Sequence, residues 1–282
     1  MSPAVHVFVL AATLLAQERA SFRSNVELVT VPCTVVDATG AAVAGLTREE
    51  FRVFDNDVPR IVDHLWVDSE PLTLAVLIDA SPSQEDQLDE HVRTARELMQ
   101  RILRPGDRSM IISVAEQVRE WTDLETRSGP MFGDPCPVRA CGGSPLWNAV
   151  YDTARLKLLP IRGNKAILLL TDGFDTGSPR PFSAAATEVQ RAGAAVYALH
   201  YPGALGNRYA PDLFRLVAAT AGATFSPGNL DQLVSRMETD LRHRYVLGFR
   251  PEKVSQKGRH ELRVEVTDPN LTVRARKMYF EP

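Results

Sequence analysis

The segment LTLAVLIDASPSQ, residues 72–84, decides the fold, because an almost entirely apolar run ends there in oxygen-bearing side chains. Continuous apolar runs of this length are typical of strands that are covered on both faces of a sheet. Asp79, Ser81 and Ser83 then follow at alternate positions. In doubly wound sheets, ligands bind at the carboxyl ends of the strands, so this segment predicts a buried strand that leads into a site.

Three more apolar runs of this kind follow along the chain and alternate with helical patterns. The runs are RSMIISVA (108–115), KAILLLTD (165–172) and AAVYALH (194–200). The helical patterns cover residues 85–103, 145–159, 183–193, 211–222 and 230–244. Strands that alternate with helices predict an α/β fold with a doubly wound, mostly parallel sheet.

Strand and turn patterns occupy both flanks of this α/β region. The flanks comprise the segments 26–37, 51–67, 245–251, 260–268 and 272–280. Each flank is too short to bury a sandwich core alone, but together they supply about six strands. We therefore predict that residues 24–68 and 245–282 form one small β-sandwich, with a domain of residues 70–244 inserted into it. The alternative is two independent β-segments that pack on the α/β domain.

Composition excludes several functional classes. The chain has 282 residues, 44% of them apolar, with a net charge of −3 and a pI near 6.1. This balance provides no broad basic surface for nucleic acid. No segment after the N-terminal region reaches the roughly 18 uncharged apolar residues of a membrane helix. We expect no nucleic-acid partner and no membrane span in the mature chain.

The N-terminal segment, residues 1–20, is expected to be a signal peptide. Its apolar stretch from Ala4 to Leu15 is too short to cross a bilayer but has the length of a signal-peptide core. The alternative is a buried N-terminal strand or helix. A signal peptide predicts a protein that is secreted or located in the periplasm or cell envelope.

The three cysteines predict different environments. Cys136 and Cys141 are close in sequence and could form a local disulfide in an oxidising compartment, with two free thiols as the alternative. They lack the further ligands of a structural zinc site. Cys33 alternates with valines and is expected to be a small apolar strand residue.

Oxygen-bearing side chains from three segments are candidates for one metal site. Asp79 and Asp172 each end a predicted parallel strand, so both carboxylates should emerge at the same sheet edge. Ser81 and Ser83 follow the first strand, and Ser144 precedes a helix. Because every candidate donor is an oxygen, the set favours Mg²⁺, with Mn²⁺ or Ca²⁺ as alternatives, over softer metals.

These residues carry a resemblance to a known family. DASPS (79–83) resembles the Asp-x-Ser-x-Ser element of von Willebrand factor type A domains, and LLLTDGFDTGS (168–178) is similar to their third element. CGGSPLWNAVYD (141–152) resembles the second element, with Ser144 in place of the usual Thr. The flanks are similar to those of a bacterial family of exported VWFA-related proteins that is frequent in acidobacteria.

The resemblance implies a metal-ion-dependent adhesion site. Ser81, Ser83 and Ser144 would hold Mg²⁺, with Asp79 and Asp172 acting partly through water. An open coordination position would accept an Asp or Glu carboxylate of a protein partner. The implied function is an exported protein-binding, adhesion or assembly module rather than an enzyme.

Other interpretations of the same residues remain open at this level. The aspartates and serines could act as helix caps or turn residues. The chain could also be a metal-dependent phosphoester hydrolase, although Ser81 occupies the place of the second Asp in haloacid-dehalogenase-type phosphatases. The last alternative is a metal-free structural scaffold.

Overall fold

The computed structural model describes residues 28–115, 118–126, 143–202, 210–251 and 258–281. Its strands are β1 (Val29–Val36), β2 (Phe51–Asp55), β3 (Val58–Arg60), β4 (Val62–Val67), β5 (Leu72–Asp79), β6 (Arg108–Val114), β7 (Val118–Thr126), β8 (Asn164–Thr171), β9 (Ala195–His200), β10 (Thr224–Phe225), β11 (Tyr245–Phe249), β12 (Gly258–Val266), β13 (Thr272–Ala275) and β14 (Met278–Glu281). Its α-helices are α1 (Leu88–Ile102), α2 (Leu146–Asp152), α3 (Phe182–Ala192), α4 (Pro211–Ala219) and α5 (Leu230–Arg242). Short 3₁₀-helices span Arg48–Glu50, Pro82–Gln87 and Pro227–Asn229, and α2 continues as a π-helix over Thr153–Leu158.

Strand β5 lies inside a six-stranded sheet with the order β10-β9-β8-β5-β6-β7. It pairs in parallel with β6 on one side and with β8 on the other. All eight of its residues are buried, which explains the continuous apolar run. Only β7, at one edge, runs antiparallel to its neighbour.

Helices cover both faces of this sheet because β5 alternates its side chains between two cores. Leu74, Val76 and Ile78 pack in one core with residues of α1 and α5. Ala75 and Leu77 pack in the other core with residues of α2, α3 and α4. The predicted α/β, doubly wound and mostly parallel sheet is confirmed.

The two flanks pair with each other in a β-sandwich. One antiparallel sheet has the order β13-β1-β11-β4 and the other has the order β14-β12-β2-β3. Each sheet combines strands from both flanks: β1 pairs with β11, and β2 pairs with β12. The sheets share one core, in which the Phe51 and Tyr245 rings lie 5.3 Å apart between centroids. The α/β region is therefore inserted into a sandwich built by the flanks, as predicted.

Two features of the strands differ from the sequence interpretation. Strand β7 was not predicted, because its charged, mixed pattern lacks the apolar run of the interior strands. The pattern over 272–280 was interpreted as one strand, whereas β13 and β14 belong to different sheets. The chain passes from one sheet of the sandwich to the other between Ala275 and Met278. One continuous alternation of apolar residues in the sequence therefore corresponds to two strands.

Two of the sequence predictions concern residues outside the described part of the chain. The predicted signal peptide (1–20), Cys136 and Cys141 lie outside it. Cys33 lies inside β1 and is 2% exposed, and burial raises the pKa of its thiol to about 12, which suits a small apolar strand residue. Among the helices in the described part of the chain, none has the length and apolar character needed to cross a bilayer.

Truncation of a sandwich core residue should destabilise the protein strongly. Phe249, on β11, is fully buried and packs edge-on against Tyr279. We expect Phe249→Ala to lower the free energy of unfolding by about 3–5 kcal/mol, measured by urea denaturation. Val58→Ala, at a position that is 45% exposed on β3, is the control and should change it by less than about 0.5 kcal/mol. Equal losses in the two variants would contradict a shared core between the flanks.

Candidate functional site

The candidate site lies at the carboxyl ends of β5 and β8. These strands are parallel neighbours, and Ile78 pairs with Leu170 in register. The following residues, Asp79 on β5 and Thr171 on β8, therefore emerge side by side at the same edge. Asp172 follows directly after β8 and joins them there.

Asp79 lies at the centre of the site and accepts hydrogen bonds on both carboxylate oxygens. The Thr171 hydroxyl donates to Oδ2 at 2.6 Å. The Ser144 hydroxyl donates to Oδ1 at 3.3 Å, and the Ser81 backbone N–H donates to the same oxygen at 3.0 Å. Asp79 is only 1% exposed, so these donors replace water around its carboxylate.

Asp172 is held in a similar way from the neighbouring segment. The Ser83 hydroxyl donates to its Oδ2 at 2.8 Å, and the Gln84 side-chain amide donates to the same oxygen at 3.1 Å. Its Oδ1 accepts the backbone N–H of Phe174 at 2.9 Å. The segment after β5 thus contacts the carboxylate that follows β8.

All five side chains named from the sequence belong to one hydrogen-bonded cluster. The hydroxyls of Ser81 and Ser83 lie 3.0 Å apart, which connects the Asp79 half of the cluster to the Asp172 half. Ser144 completes it from the start of α2. The structure therefore brings together residues that are up to 93 positions apart in the chain.

The segment after Asp172 holds Ser144 in place. The Ser144 backbone N–H donates to the Thr176 hydroxyl at 2.7 Å, and the Thr176 N–H donates to the Ser144 carbonyl at 2.9 Å. The approach is close because Gly143 has no side chain: a Cβ there would lie 2.3 Å from the Thr176 carbonyl oxygen. The glycine before Ser144 is therefore required by packing.

The same segment also satisfies the open N–H groups in the first turn of α2. Asp175 Oδ1 accepts the N–H of Trp147 at 3.1 Å, and the Ser178 hydroxyl accepts the N–H of Asn148 at 2.9 Å. These are the donors that a helix start leaves without intrahelical partners. Asp175 therefore positions the start of α2, the helix that follows Ser144.

Burial sets the protonation behaviour of Asp79. Loss of solvent raises the pKa of its carboxyl to about 6, the Thr171 and Ser81 hydrogen bonds oppose this rise, and the nearby Asp172 charge adds to it. With a pKa above its unfolded value, ionised Asp79 disfavours the folded state. Its contribution to stability is therefore present at low pH and is lost as the pH rises through about 6. A bound cation would remove this penalty.

Two histidines lie directly behind the carboxylates. The His91 ring contacts the Asp79 carbonyl through Nδ1 at 3.3 Å, and the His200 Nε2 contacts the Asp172 carbonyl at 3.2 Å. Burial lowers the pKa of both rings, to about 4 for His91, so both are neutral at pH 7. They position backbone carbonyls and add no positive charge to offset the carboxylates.

The donor set fits a hard divalent cation. The five side chains named from the sequence offer only oxygens, from two carboxylates and three hydroxyls, which is the chemistry that Mg²⁺ and Ca²⁺ prefer. The side-chain oxygen of Gln84 is buried beside Asp172 and has no hydrogen-bond partner among the described residues, so the site can satisfy another donor or ion. Among the described residues, no three His, Cys, Asp or Glu side chains are placed to hold a metal ion together, so the hydroxyls would be essential to a metal site.

Helix capping by the serines is not observed. Ser81 precedes the 3₁₀-helix Pro82–Gln87 without a side-chain capping bond, and Ser83 lies inside that helix. Asp79 and Asp172 do act as turn residues, because each accepts the backbone N–H two positions later. The turn bonds occupy one oxygen of each carboxylate and leave the cluster intact.

Sequence reasoning missed Thr171, Gln84 and Thr176. Thr171 could have been found, since it precedes Asp172 at the end of an apolar strand whose neighbour ends in Asp79. No sequence signal marks Gln84 or Thr176, because their roles depend on how two loops fold against each other. Both contact a predicted residue rather than extending the set of oxygens that faces the cluster centre.

Comparison with known proteins shows similarity of fold. No family model and no curated protein matches the chain. Similar solved structures include proximal thread matrix protein 1 from the mussel byssus, which is 16% identical with a TM-score of 0.49 over 76% of this chain and 50% of that chain. This chain therefore spans about half the length of the mussel protein.

Two other similar structures are VWA domains, the family that the three motifs resemble. The SpRpn10 VWA domain is 14% identical, with a TM-score of 0.44 over 60% of this chain and 96% of that one. The ArnB paralog VWA2 from Sulfolobus acidocaldarius is 14% identical, with a TM-score of 0.47 over 88% of this chain and 75% of that one. At these identities the likeness concerns the fold alone.

Addition of a methyl group at Gly143 should destabilise the contact between the Ser144 and Thr176 segments. We expect Gly143→Ala to lower the free energy of unfolding by about 1–3 kcal/mol, because the new Cβ must displace the Thr176 backbone. Thermal and urea unfolding measure the effect. Gly228→Ala is the matched control, since a Cβ there meets no atom within 4 Å. Equal stability of the two variants would refute the close approach.

Proposed function

We propose that this protein is an exported protein-binding module that uses a divalent cation, Mg²⁺ in the first instance, to engage a carboxylate of a partner. One observation carries the proposal: Asp79, Ser81, Ser83, Ser144 and Asp172 converge in one cluster at the carboxyl edge of the parallel sheet. Ser81, Ser83 and Ser144 would hold the ion, with Asp79 and Asp172 acting partly through water.

The hydrogen bonds to the two carboxylates favour a site that binds an outside ligand. Two carboxylates are largely occupied by hydrogen bonds from Thr171, Ser81, Gln84 and Phe174, so they are not free to surround an ion completely. When bound, the ion would supply a Lewis-acidic position that accepts an outside Asp or Glu. Ser83 is solvent-exposed, so the cluster is accessible from one side.

The same cluster also supports a second candidate, a metal-free scaffold. The predicted side chains already hydrogen-bond to one another through Ser144 to Asp79 and Ser83 to Asp172. A network that satisfies itself can stiffen the sheet edge without an ion. The two candidates differ in whether divalent cations bind and stabilise the protein.

Calorimetric titration tests the metal site. We expect the chelator-treated protein to bind one Mg²⁺, and Mn²⁺ at the same site. Asp79→Ala should abolish the heat of binding, because it removes the carboxylate to which Ser144, Ser81 and Thr171 are bonded. Asp231→Ala is the control, since that carboxylate is 90% exposed on α5, and it should bind like wild type. No binding by wild type would favour the metal-free scaffold.

Substitutions of Ser144 test the role of its hydroxyl. Ser144→Ala should weaken Mg²⁺ binding about tenfold or more, because a ligand hydroxyl is lost from a position that is 1% exposed. Ser144→Thr keeps the hydroxyl and should bind at least as tightly as wild type, since β-branching restricts the rotamer. Calorimetry measures both, and equal affinities in the two variants would exclude Ser144 as a ligand.

Mg²⁺ affinity should depend on pH near the pKa of Asp79. Protons compete with the ion for this carboxylate, whose pKa is raised to about 6 in the metal-free protein. We expect constant affinity above pH 7 and a fall approaching about tenfold per pH unit well below 6. Titrations between pH 5 and 8, with circular dichroism to verify folding, provide the measurement. An affinity that is flat across this range would show that Asp79 does not contribute.

Partner binding and catalysis can be separated with the same variants. A pull-down from the native cell envelope with wild type and Asp79→Ala should recover a partner only with wild type, and chelator should release it. Incubation with Mg²⁺ and a generic phosphoester should give no turnover. Robust turnover that Asp79→Ala abolishes would replace the binding module with a hydrolase.

A further inference from the structure

A second concave surface lies at the opposite end of the central sheet. It is a groove of about 990 Å³ between the α/β region and the sandwich, and it is lined by residues at the amino end of β8, the end of α3, and strands β1, β4 and β11. Asp79, Ser144 and Asp172 are at the carboxyl ends of the strands, so the groove is separate from the candidate metal site.

Positive charge is concentrated in this groove. Among the described residues, five cationic side chains line it and only Asp68 and Glu70 supply negative charge, which leaves an excess of three positive charges in that set. The cationic residues are Arg162, Lys165, Arg191, Arg244 and Arg276. The whole chain, in contrast, carries a net charge of −3, so this groove is locally opposite in sign to the molecule.

Three of the five cations have no carboxylate partner within the described part of the chain. Lys165 Nζ donates to the Ile161 carbonyl at 2.8 Å, and Arg276 donates to the Thr30 carbonyl at 2.8 Å. Arg162 is exposed and makes no ion pair with a described residue. By comparison, Arg244 lies 3.7 Å from Asp68.

Burial makes the charges of Lys165 and Arg276 unfavourable without a counter-ion. Lys165 is 9% exposed, and Arg276 has a buried Nε with no acceptor among the described residues. Burial and the neighbouring Arg276 and Arg244 charges lower the pKa of Lys165 to about 8. Burial, with Arg244, lowers the pKa of Arg276 to about 10. An anion in the groove would offset the cost of desolvation and reduce the repulsion between the cations.

The walls and size of the groove define the class of ligand. Trp66, Leu159 and Val246 provide apolar surface beside the cations. A volume near 990 Å³ is at the upper end of the range for small-molecule sites, about 300–1,000 Å³. Arginine forks bind carboxylate and phosphate oxygens in pairs, which suits a ligand with several such groups.

We propose that this groove binds a small organic anion that carries two or more carboxylate or phosphate groups, with Lys165, Arg276 and Arg162 as its principal contacts. The proposal is independent of the metal site, because it uses the opposite end of the sheet. Long polyanions such as nucleic acid are not favoured, since the chain is acidic overall.

The test uses the full mature chain, freed of divalent ions, in low-salt buffer. Pyrophosphate and citrate serve as phosphate and carboxylate probes, and acetate serves as a monovalent control. We expect pyrophosphate, citrate or both to raise the melting temperature and to bind in calorimetry, with affinity that falls as salt increases. The stronger probe identifies the preferred oxyanion. Acetate should have little effect.

Three variants locate the binding. Arg276→Gln and Lys165→Gln should each weaken binding of the preferred probe about tenfold, and Arg162→Gln about threefold to tenfold. Arg162 is exposed and makes no ion pair with a described residue, so its variant should fold normally. This variant keeps the test valid if a buried substitution destabilises the chain. Arg215→Gln removes an arginine that is 74% exposed on α4 and should bind like wild type.

Two outcomes would overturn the proposal. One is that pyrophosphate and citrate bind no more tightly than acetate. The other is that Arg162→Gln and the folded buried variants bind the probes as wild type does, which would indicate an adventitious ion only. Asp79→Ala should retain anion binding, so failure of the metal site and failure of the groove are distinguishable.

Discussion

The parallel pairing of β5 with β8 is the constraint on which the site depends. Their register sets Asp79 beside Thr171, and the 2.6 Å hydrogen bond between these residues joins the two strand ends. Because both strands are buried on both faces, the carboxylate at the end of β5 cannot turn towards bulk water. Its hydrogen-bond donors are instead the Thr171 hydroxyl on β8 and groups from the two loops that carry Ser81 and Ser144.

Much of the fold could be predicted because short apolar runs alternate along the chain with longer segments of helical pattern. The pairing of the flanks was also predictable, since neither flank could bury a core by itself. Edge strand β7 and the change of sheet after Ala275 were not predictable, because edge strands lack the apolar run and one alternation can serve two sheets. The apolar pattern of a strand indicates which of its residues are buried, but it does not indicate which strands pair with it.

The convergence of the five candidate side chains could be predicted because strand ends and motif spacing mark them. Their supports were not: Thr176 and Asp175 act through loop contacts that fix Ser144 and the start of α2. Gln84 contacts Asp172 only because the 3₁₀-helix after β5 turns towards the neighbouring strand. Such contacts depend on three-dimensional loop geometry, which sequence spacing does not encode.

The short connection from α5 to β11 limits how this helix can move. Only His243 and Arg244 separate the helix from a strand that is hydrogen-bonded on both sides, to β1 and to β4. The Arg242 guanidinium also pairs with Asp107 next to the start of β5. Two residues provide no spare length, so a movement of α5 along its axis would have to pull the interior strand β11 out of the sandwich. The helix is thus anchored at its carboxyl end, so any displacement would have to occur at its amino end.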